Sequence, residues 1–460
     1  MKTLLFRSFA LLFFTSQIVK AQPPLCFNSY TPAGVASQPM SLTSSDFNED
    51  GKIDIAVADR NSNKVSILLG NNNGSFAAAV NYVVDSTPFY ITAADFNGDG
   101  NMDLATANSG TNTISVLLGT GSGTFGAANN YTVGTGPYFI ISSDFNNDGS
   151  VDLATGNFFA GTISVLLGNN TGMYASAVTY TVSSGARSIT VADFNSDGKK
   201  DLVVTNQMSN TISVLIGNGL GSFSLSGNVA AGSDPISITS SDFNHDGKVD
   251  LALANMSSNN ISIYMGTGLG TFAPRVNYSV GTDPHSITTG DFNGDGELDL
   301  AVSNWHSNNV SVLVGSATGT FAAAVNYSVN TQPVSVISND FNTDGKADMA
   351  VVNLLSDNVS ILLNCNTVGI NEYNSVFEDI DVFPNPVNGD HIHLNINSKV
   401  NEVITVTIID NLGKTVFNDS EAIKIGENEI RLNLENLAKG FYYLKVLTGK
   451  NSRNIKFVKN

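Results

Sequence analysis

Seven short segments of this sequence carry carboxylates and amides at alternate positions around a glycine, a spacing that could bind a hard cation. The first is DFNEDGKID, and every later one follows at an interval of 49 residues. Hard cations such as Ca²⁺ take six to eight oxygen ligands in flexible geometry, and a tight loop supplies them when a glycine permits the bend. The seven segments begin at Asp46, Asp95, Asp144, Asp193, Asp242, Asp291 and Asp340.

Each segment is predicted to bind Ca²⁺ through the side chains at positions one, three, five and nine and the backbone carbonyl at position seven. Position seven varies freely, as expected if only its carbonyl is used. An EF-hand would need Glu at position twelve, where the first segment has Val57, so that interpretation is rejected. Ordinary Asp/Asn/Gly turn chemistry does not explain an Asp at positions one, five and nine of every copy. The predicted ligands are Asp46, Asn48, Asp50, Lys52, Asp54, Asp95, Asn97, Asp99, Asn101, Asp103, Asp144, Asn146, Asp148, Ser150, Asp152, Asp193, Asn195, Asp197, Lys199, Asp201, Asp242, Asn244, Asp246, Lys248, Asp250, Asp291, Asn293, Asp295, Glu297, Asp299, Asp340, Asn342, Asp344, Lys346 and Asp348.

The charge of the chain follows from these loops. Three aspartates in each of the seven segments make up 21 of the 40 acidic residues, and the formal net charge is −18. Such a charge argues against nucleic acid or anionic lipid as a partner. The acidity therefore indicates up to seven Ca²⁺ sites rather than a general surface property.

The segments between the acidic loops predict four short strands per repeat. In the fifth repeat these are 235–243, 250–255, 260–266 and 271–280, joined by Gly- and Asn-rich turns. A period of 40 to 50 residues with four strands per unit is typical of propeller blades. A linear array of separate small domains would leave both faces of each sheet poorly buried. The expected fold is therefore all-β, a seven-bladed β-propeller of four-stranded blades.

The two ends of the repeat region predict how the ring closes. The seventh repeat stops after its third strand, and residues 26–35 align with the missing outer strand. Cys365 and Cys26 fall where the first repeat has Asn71 and Ser75, which flank the turn between its third and fourth strands. We therefore expect a Cys26–Cys365 disulfide in place of that turn, and an oxidising compartment agrees with it.

The N-terminus has the form of a secretory signal peptide. Lys2 and Arg7 precede a short apolar run, and Ala21 offers a cleavage site. The apolar run is too short to span a bilayer, and no other segment is long and apolar enough to do so. The predicted division of the chain is a signal peptide at 1–21, a propeller at 22–366, a linker at 367–376 and a second domain at 377–460.

The acidic loops resemble those of the FG-GAP, or VCBS-type, repeat family, which forms the seven-bladed propellers of integrin α subunits and of many exported bacterial proteins. The resemblance covers residues 26–365, and here all seven loops are intact. The resemblance implies a binding or adhesion platform in which calcium stabilises one face and ligands bind to the other. It does not by itself imply any activity.

The positions that differ between repeats are expected to lie opposite the acidic loops. One set precedes each loop by six residues, namely Met40, Phe89, Tyr138, Arg187, Ile236, His285 and Val334. The other follows each loop's first Asp by fourteen, namely Arg60, Ser109, Phe158, Gln207, Met256, Trp305 and Leu354. Aromatic side chains on turns suit stacking on sugars or contact with a partner protein, although packing against the blades would explain them equally. The candidate ligand residues are Phe89, Tyr138, Phe158, Phe159, Arg187, His285, Trp305 and His306.

Binding to a glycan or a protein is the function that the sequence favours. No nucleophile elbow, zinc signature or phosphate-binding loop is present. The alternative is a polysaccharide-degrading lyase or hydrolase that uses Tyr138, Arg187 and His285 on the same face.

From Phe377 the sequence changes to alternating strands that predict a small β-sandwich. This part resembles the C-terminal sorting domain of the type IX secretion system, through Pro384-Asn385-Pro386, the segment 410–416, the strand KGFYYLKV and the final Lys456-Phe457-Val458. The resemblance implies recognition by the type IX machinery and passage to the cell surface or the medium. A sugar-binding sandwich would fit the strands but not the terminal motif.

Overall fold

The computed structural model describes residues 25–29, 32–366, 377–410, 414–435, 437–448 and 451–460. The predicted signal peptide (1–21) and linker (367–376) lie outside these residues. The chain forms two compact units that divide between residues 367 and 368. Both are built from strands, and the described residues contain no helix long and apolar enough to cross a membrane.

The first unit contains seven antiparallel sheets; six are four-stranded meanders, and the seventh combines three consecutive strands with two short N-terminal strands. The first strands run over Pro39–Ser45, Pro88–Ala94, Pro137–Ser143, Ala186–Ala192, Pro235–Ser241, Pro284–Gly290 and Pro333–Asn339. The second strands run over Asp54–Asp59, Asp103–Asn108, Asp152–Asn157, Asp201–Asn206, Asp250–Asn255, Asp299–Asn304 and Asp348–Asn353. The third strands run over Lys64–Leu68, Thr113–Leu117, Thr162–Leu166, Thr211–Gly217, Asn260–Tyr264, Asn309–Leu313 and Asn358–Asn364. The outer strands of the first six sheets run over Val80–Val83, Asn129–Thr132, Val178–Thr181, Phe223–Ala230, Val276–Ser279 and Val325–Ser328.

Neighbouring sheets pack face to face around a ring, so the first unit is a seven-bladed β-propeller. First strands contact the first strands of the adjacent blades, which places them around the axis. Every residue of the seven second strands is buried, because each of these strands is covered on both faces by neighbouring blades. This explains their nearly continuous apolar sequence.

The N-terminal segment completes the seventh blade, as predicted. Phe27–Ser29 pairs with the end of Asn358–Asn364, and Ala33–Gly34 pairs with its beginning. Cys26 and Cys365 form a disulfide with their Cα atoms 5.1 Å apart, and the Cys365 N–H donates to the Cys26 carbonyl. Apolar residues of the seventh and first blades then share one core cluster, which closes the ring.

A ring of edge-to-face aromatic contacts joins all seven blades. The Phe at position two of each acidic loop meets an aromatic residue of the following blade's outer segment, with centroids 5.6–6.2 Å apart. At the last interface the partner of Phe292 is Phe27, which the N-terminal strand supplies. The pairs are Phe47–Phe125, Phe96–Tyr174, Phe145–Phe223, Phe194–Phe272, Phe243–Phe321, Phe292–Phe27 and Phe341–Phe76.

The second unit is a small β-sandwich. One sheet contains Phe377–Phe383, His391–Ser398 and Gly426–Asn433, and the other contains Thr415–Ile423, Glu402–Asp410, Gly440–Thr448 and Asn451–Lys459. Alternate residues of the two sheets meet in one core, to which Leu394, Val406 and Phe457 belong. The second domain therefore has the predicted fold.

Candidate functional site

The ninth-position aspartates of the acidic loops have a structural role that the sequence did not reveal. In the first blade, Asp54 Oδ2 accepts the Phe47 N–H at 2.9 Å and Oδ1 accepts the Gly70 N–H at 2.7 Å. The same pair of bonds occurs in all seven blades, at 2.7–3.0 Å. Each fully buried carboxylate therefore ties its loop to the end of the third strand.

Burial raises the pKa of all seven ninth-position carboxyls, and the loop's other carboxylates raise it further. The pKa reaches about 7 for Asp299 and about 6 for Asp103 and Asp348. The three carboxylates of a loop are thus close enough to repel one another, which is the condition that a bound cation relieves.

The first five positions of each loop form a tight turn that is held by the loop's own amides. Asp46 accepts the N–H groups of Asp50 and Gly51 at 3.1 and 2.7 Å, and Asn48 Oδ1 also accepts the Asp50 N–H. The sixth-position glycines all have a positive φ, between 79° and 89°, which confirms the predicted bend. The fourth position is also left-handed, even where it is Glu49 or Thr343.

The oxygens of each loop suit a hard divalent cation by their chemistry. A loop offers two partly exposed carboxylates, an amide oxygen and backbone carbonyls. These are the oxygen ligands that hard cations prefer to nitrogen or sulfur. In four loops the lysine at position seven forms an ion pair with the Asp at position five. In the first loop, Lys52 Nζ lies 2.9 Å from Asp50 Oδ2. Within the described residues, no group of three His, Cys, Asp or Glu side chains is arranged to hold a metal ion. Ca²⁺ binding at the 35 predicted residues stays a prediction.

On the opposite face, the two turns of each blade are joined by one backbone hydrogen bond. The N–H that follows the second strand donates to the carbonyl of the residue before the first strand, as Arg60 does to Gln38 at 2.9 Å. The bond recurs in all seven blades at 2.8–3.0 Å. The two sets of variable positions therefore lie close together, because the second set supplies the donor of this bond and the first set lies two residues after the acceptor.

The first variable set lines one cavity on the propeller axis, which we call the channel mouth. Its seven members are the second residues of the first strands, so the ring geometry brings them together from all seven blades. The cavity measures about 30 Å³, which holds about two water-sized atoms and no sugar ring. The lining residues of this set are Met40, Phe89, Tyr138, Arg187, Ile236, His285 and Val334.

An aromatic stack occupies one side of the channel mouth. The Phe89 and Tyr138 rings are stacked with centroids 4.1 Å apart, and Tyr138 stacks on Phe158 at 4.8 Å. Phe89 is 8% exposed, so these rings pack mainly against one another rather than standing free in solvent. Phe159 meets Tyr138 edge to face at 5.6 Å and is 62% exposed.

Two arginines contact this stack from other blades. The Arg187 guanidinium carbon lies 4.8 Å from the Tyr138 centroid and 5.6 Å from that of Phe89. The Arg60 guanidinium carbon lies 5.0 Å from the Phe89 centroid. Both are cation–π contacts. The candidate ligand residues do not include Arg60, and only the ring geometry shows that it joins Arg187.

Of the two basic side chains that line the channel mouth, Arg187 is charged at neutral pH and His285 is not. Burial and, to a smaller extent, the charge of Arg187 lower the pKa of His285 to about 3, and its Nδ1 lies 2.7 Å from the Val334 carbonyl. Burial also lowers the pKa of Arg187 to about 10, so the guanidinium stays charged at neutral pH. On the sixth blade, Trp305 is half-buried between His285 and the exposed His306. Of the eight candidate ligand residues, Phe159 and His306 are the two that are exposed.

Comparison with protein-family models identifies the repeats. The FG-GAP-like repeat model matches residues 46–106, 95–155, 144–204, 193–253, 242–302 and 293–351. The chain belongs to the FG-GAP-like repeat family. The secretion system C-terminal sorting domain model matches residues 381–460. The FG-GAP propeller therefore carries a tail that directs secretion through the type IX system to the cell surface or the extracellular space.

Solved structures similar to this FG-GAP protein are β-propellers. The crystal structure of BBS1N in complex with ARL6DN has a TM-score of 0.55 and 13% identity, covering 74% of this chain and 98% of that chain. A protein from Lactobacillus plantarum has a TM-score of 0.49 and 14% identity, covering 85% of this chain and 98% of its own. The periplasmic gluconolactonase of Pseudomonas aeruginosa has a TM-score of 0.49 and 16% identity, covering 65% of this chain and 87% of its own. No curated protein matches the sequence.

Proposed function

We propose that this FG-GAP propeller is an extracellular binding module, with Ca²⁺ in its acidic loops and a glycan or protein ligand on the opposite face. One observation carries the proposal. The acidic loops are alike in every blade, whereas the variable side chains of all seven blades converge on the channel mouth and its rim. Sequence variation that collects at one place in a repeat protein is expected where a ligand is recognised.

The turns that follow the second strands form the rim of the channel mouth, and they carry exposed apolar side chains. Phe159, Met208 and Leu355 occupy equivalent positions in their blades, one residue after the hydrogen-bonded turn position, and all three are exposed. Exposed aromatic and apolar side chains around a polar centre suit contact with a sugar face or a partner protein.

Binding of the purified full-length chain to arrays of polysaccharides and extracellular proteins tests this proposal. We expect Phe159→Ala to weaken binding of the ligand found, because it removes the most exposed ring at the mouth. Leu269→Ala is the matched control, because Leu269 is also an exposed apolar residue but lies on a third-to-outer-strand turn beside the acidic loops. The proposal is wrong if Leu269→Ala abolishes binding while Phe159→Ala leaves it intact. Release of shortened polysaccharide would instead favour the enzyme alternative with Tyr138, Arg187 and His285.

A further inference from the structure

Two guanidinium groups, that of Arg187 in the lining of the channel mouth and that of Arg60 beside it on the Phe89 ring, have no ion-pair partner among the residues that the structure describes. Among the described residues, neither arginine takes part in an ion pair, and the side chains of Arg60 and Arg187 donate no hydrogen bond. A guanidinium offers five N–H donors, and removing its charge from water without a partner is costly. In a chain with a net charge of −18, two neighbouring guanidinium groups without an ion-pair partner point to an anion supplied from outside.

The cavity beside these cations also contains an unpaired hydroxyl. Ser188 lines the cavity, is 2% exposed, and its Oγ has no hydrogen-bond partner in the described residues. The hydroxyls of Ser237 and Ser286 line the same space and accept one backbone N–H each, so their own hydrogens are free to donate. A volume of about 30 Å³ matches the two oxygens of a carboxylate.

We propose that Arg60 and Arg187 form a carboxylate-binding site at the channel mouth and that the ligand is a polysaccharide containing uronic acid residues. This inference rests on the proposed binding function. The guanidinium forks pair with the carboxylate, and the cavity hydroxyls donate to its inner oxygens.

A uronic acid fits the shape of the mouth. Its sugar ring is too large for the cavity, so the ring lies over the opening while the carboxylate, one bond away, enters it. The exposed Phe159 ring beside Tyr138 then offers an apolar surface to the C–H groups of the sugar. The location of the protein outside the cell gives it access to such polymers.

Calorimetric titration of the full-length chain with polygalacturonate, and with the same polymer after methyl esterification, tests the proposal. Esterification removes the charge and keeps the sugar backbone. We expect binding to polygalacturonate only, weakened about tenfold or more in Arg187→Gln and in Arg60→Gln. Arg275→Gln is the matched control, because that guanidinium donates to the Ala230 carbonyl on the outside of a blade, and it should bind like the parent. Thermal unfolding of each variant verifies that it folds.

Equal binding of both polymers, absence of binding to polygalacturonate, or an equal loss in Arg275→Gln overturns the uronate proposal. Arginine-dependent binding of poly-glutamate in place of the polysaccharide would show a protein ligand and also overturn it. If an array ligand still depends on Phe159 while the arginine variants bind normally, only the carboxylate inference fails. If no ligand depends on Phe159, the proposed function fails with it.

Discussion

Changing Asp59 to asparagine should stabilise the propeller at neutral pH. Asp59 ends the second strand of the first blade, is fully buried, and one of its oxygens has no partner. Burial and, to a smaller extent, nearby Asp357 raise its pKa to about 7, although the hydrogen bond from Ser66 opposes the shift. The six equivalent positions are all asparagine, namely Asn108, Asn157, Asn206, Asn255, Asn304 and Asn353.

The hydrogen bonds around Asp59 show why an amide suits this position. The Ser66 hydroxyl lies 2.6 Å from Asp59 Oδ2 and 2.7 Å from Asn81 Oδ1, yet it has one hydrogen to donate. In the second blade the conflict is absent, because Asn108 Nδ2 donates to Ser115, whose hydroxyl donates onwards. The side-chain amide of the Asp59→Asn variant would reproduce that chain, as does Asp59 when it is protonated.

The size of the expected stability change follows from the shift in the pKa of Asp59. A carboxyl with a raised pKa contributes stability below its unfolded-state pKa near 4, and that stability is lost as the pH rises to the folded-state value of about 7. Three pKa units correspond to about 4 kcal/mol as an upper bound. Asp59→Asn should therefore raise the free energy of unfolding by about 2–4 kcal/mol at pH 8 and change it little at pH 4.

Urea unfolding at several pH values measures this effect. Trp305 is the only tryptophan of the chain, so its fluorescence reports on the propeller and not on the sorting domain. The converse change, Asn108→Asp, is the control and should destabilise the protein most above pH 7. Parallel stability curves for the parent and Asp59→Asn, or a variant that is less stable at pH 8, would refute the reasoning.

Three further predictions concern the disulfide, one acidic loop and bound Ca²⁺. Replacing Cys26 and Cys365 by serine should lower the free energy of unfolding by at most about 6 kcal/mol, because the disulfide closes a loop of 339 residues. Reduction of the parent protein should give the same loss of stability in urea unfolding. Thr343→Gly should stabilise by about 1 kcal/mol, because a β-branched residue at φ 55° is strained, whereas a midpoint at or below the parent's would contradict this. Chelation of Ca²⁺ should lower the thermal unfolding midpoint by several degrees, and renewed addition of Ca²⁺ should restore it. Each site stabilises the folded state by about 2.7 kcal/mol when the free Ca²⁺ concentration is 100 times Kd. An unchanged midpoint would argue against bound Ca²⁺.

The 49-residue period was sufficient to predict the blades, their number and the closure of the ring. Strand alternation and turn residues are local signals, and the interval between Cys26 and Cys365 follows from the same register. The sequence could not reveal that Asp54 and its equivalents accept two backbone amides each, because the second amide comes from a residue 16 positions later.

The channel mouth could be predicted only in part. The variable positions were recognisable, but the sequence left open whether residues such as Phe89 are exposed or packed, and the ring geometry packs them together at the axis. Arg60 and Arg187 come from the first and fourth blades and meet at a ring of the second. A single sequence does not predict that both arginines contact the same ring, because this depends on the radius of the propeller.

Hydrogen exchange of the full-length chain, with and without the strongest array ligand, tests the central claim most directly. We expect slower exchange at the turns around Arg60, Phe158 and Trp305 and in the first strands that line the channel mouth, with exchange in the acidic loops unchanged. Protection confined to the acidic loops or to the outer strands would contradict the assignment of the ligand to the opposite face.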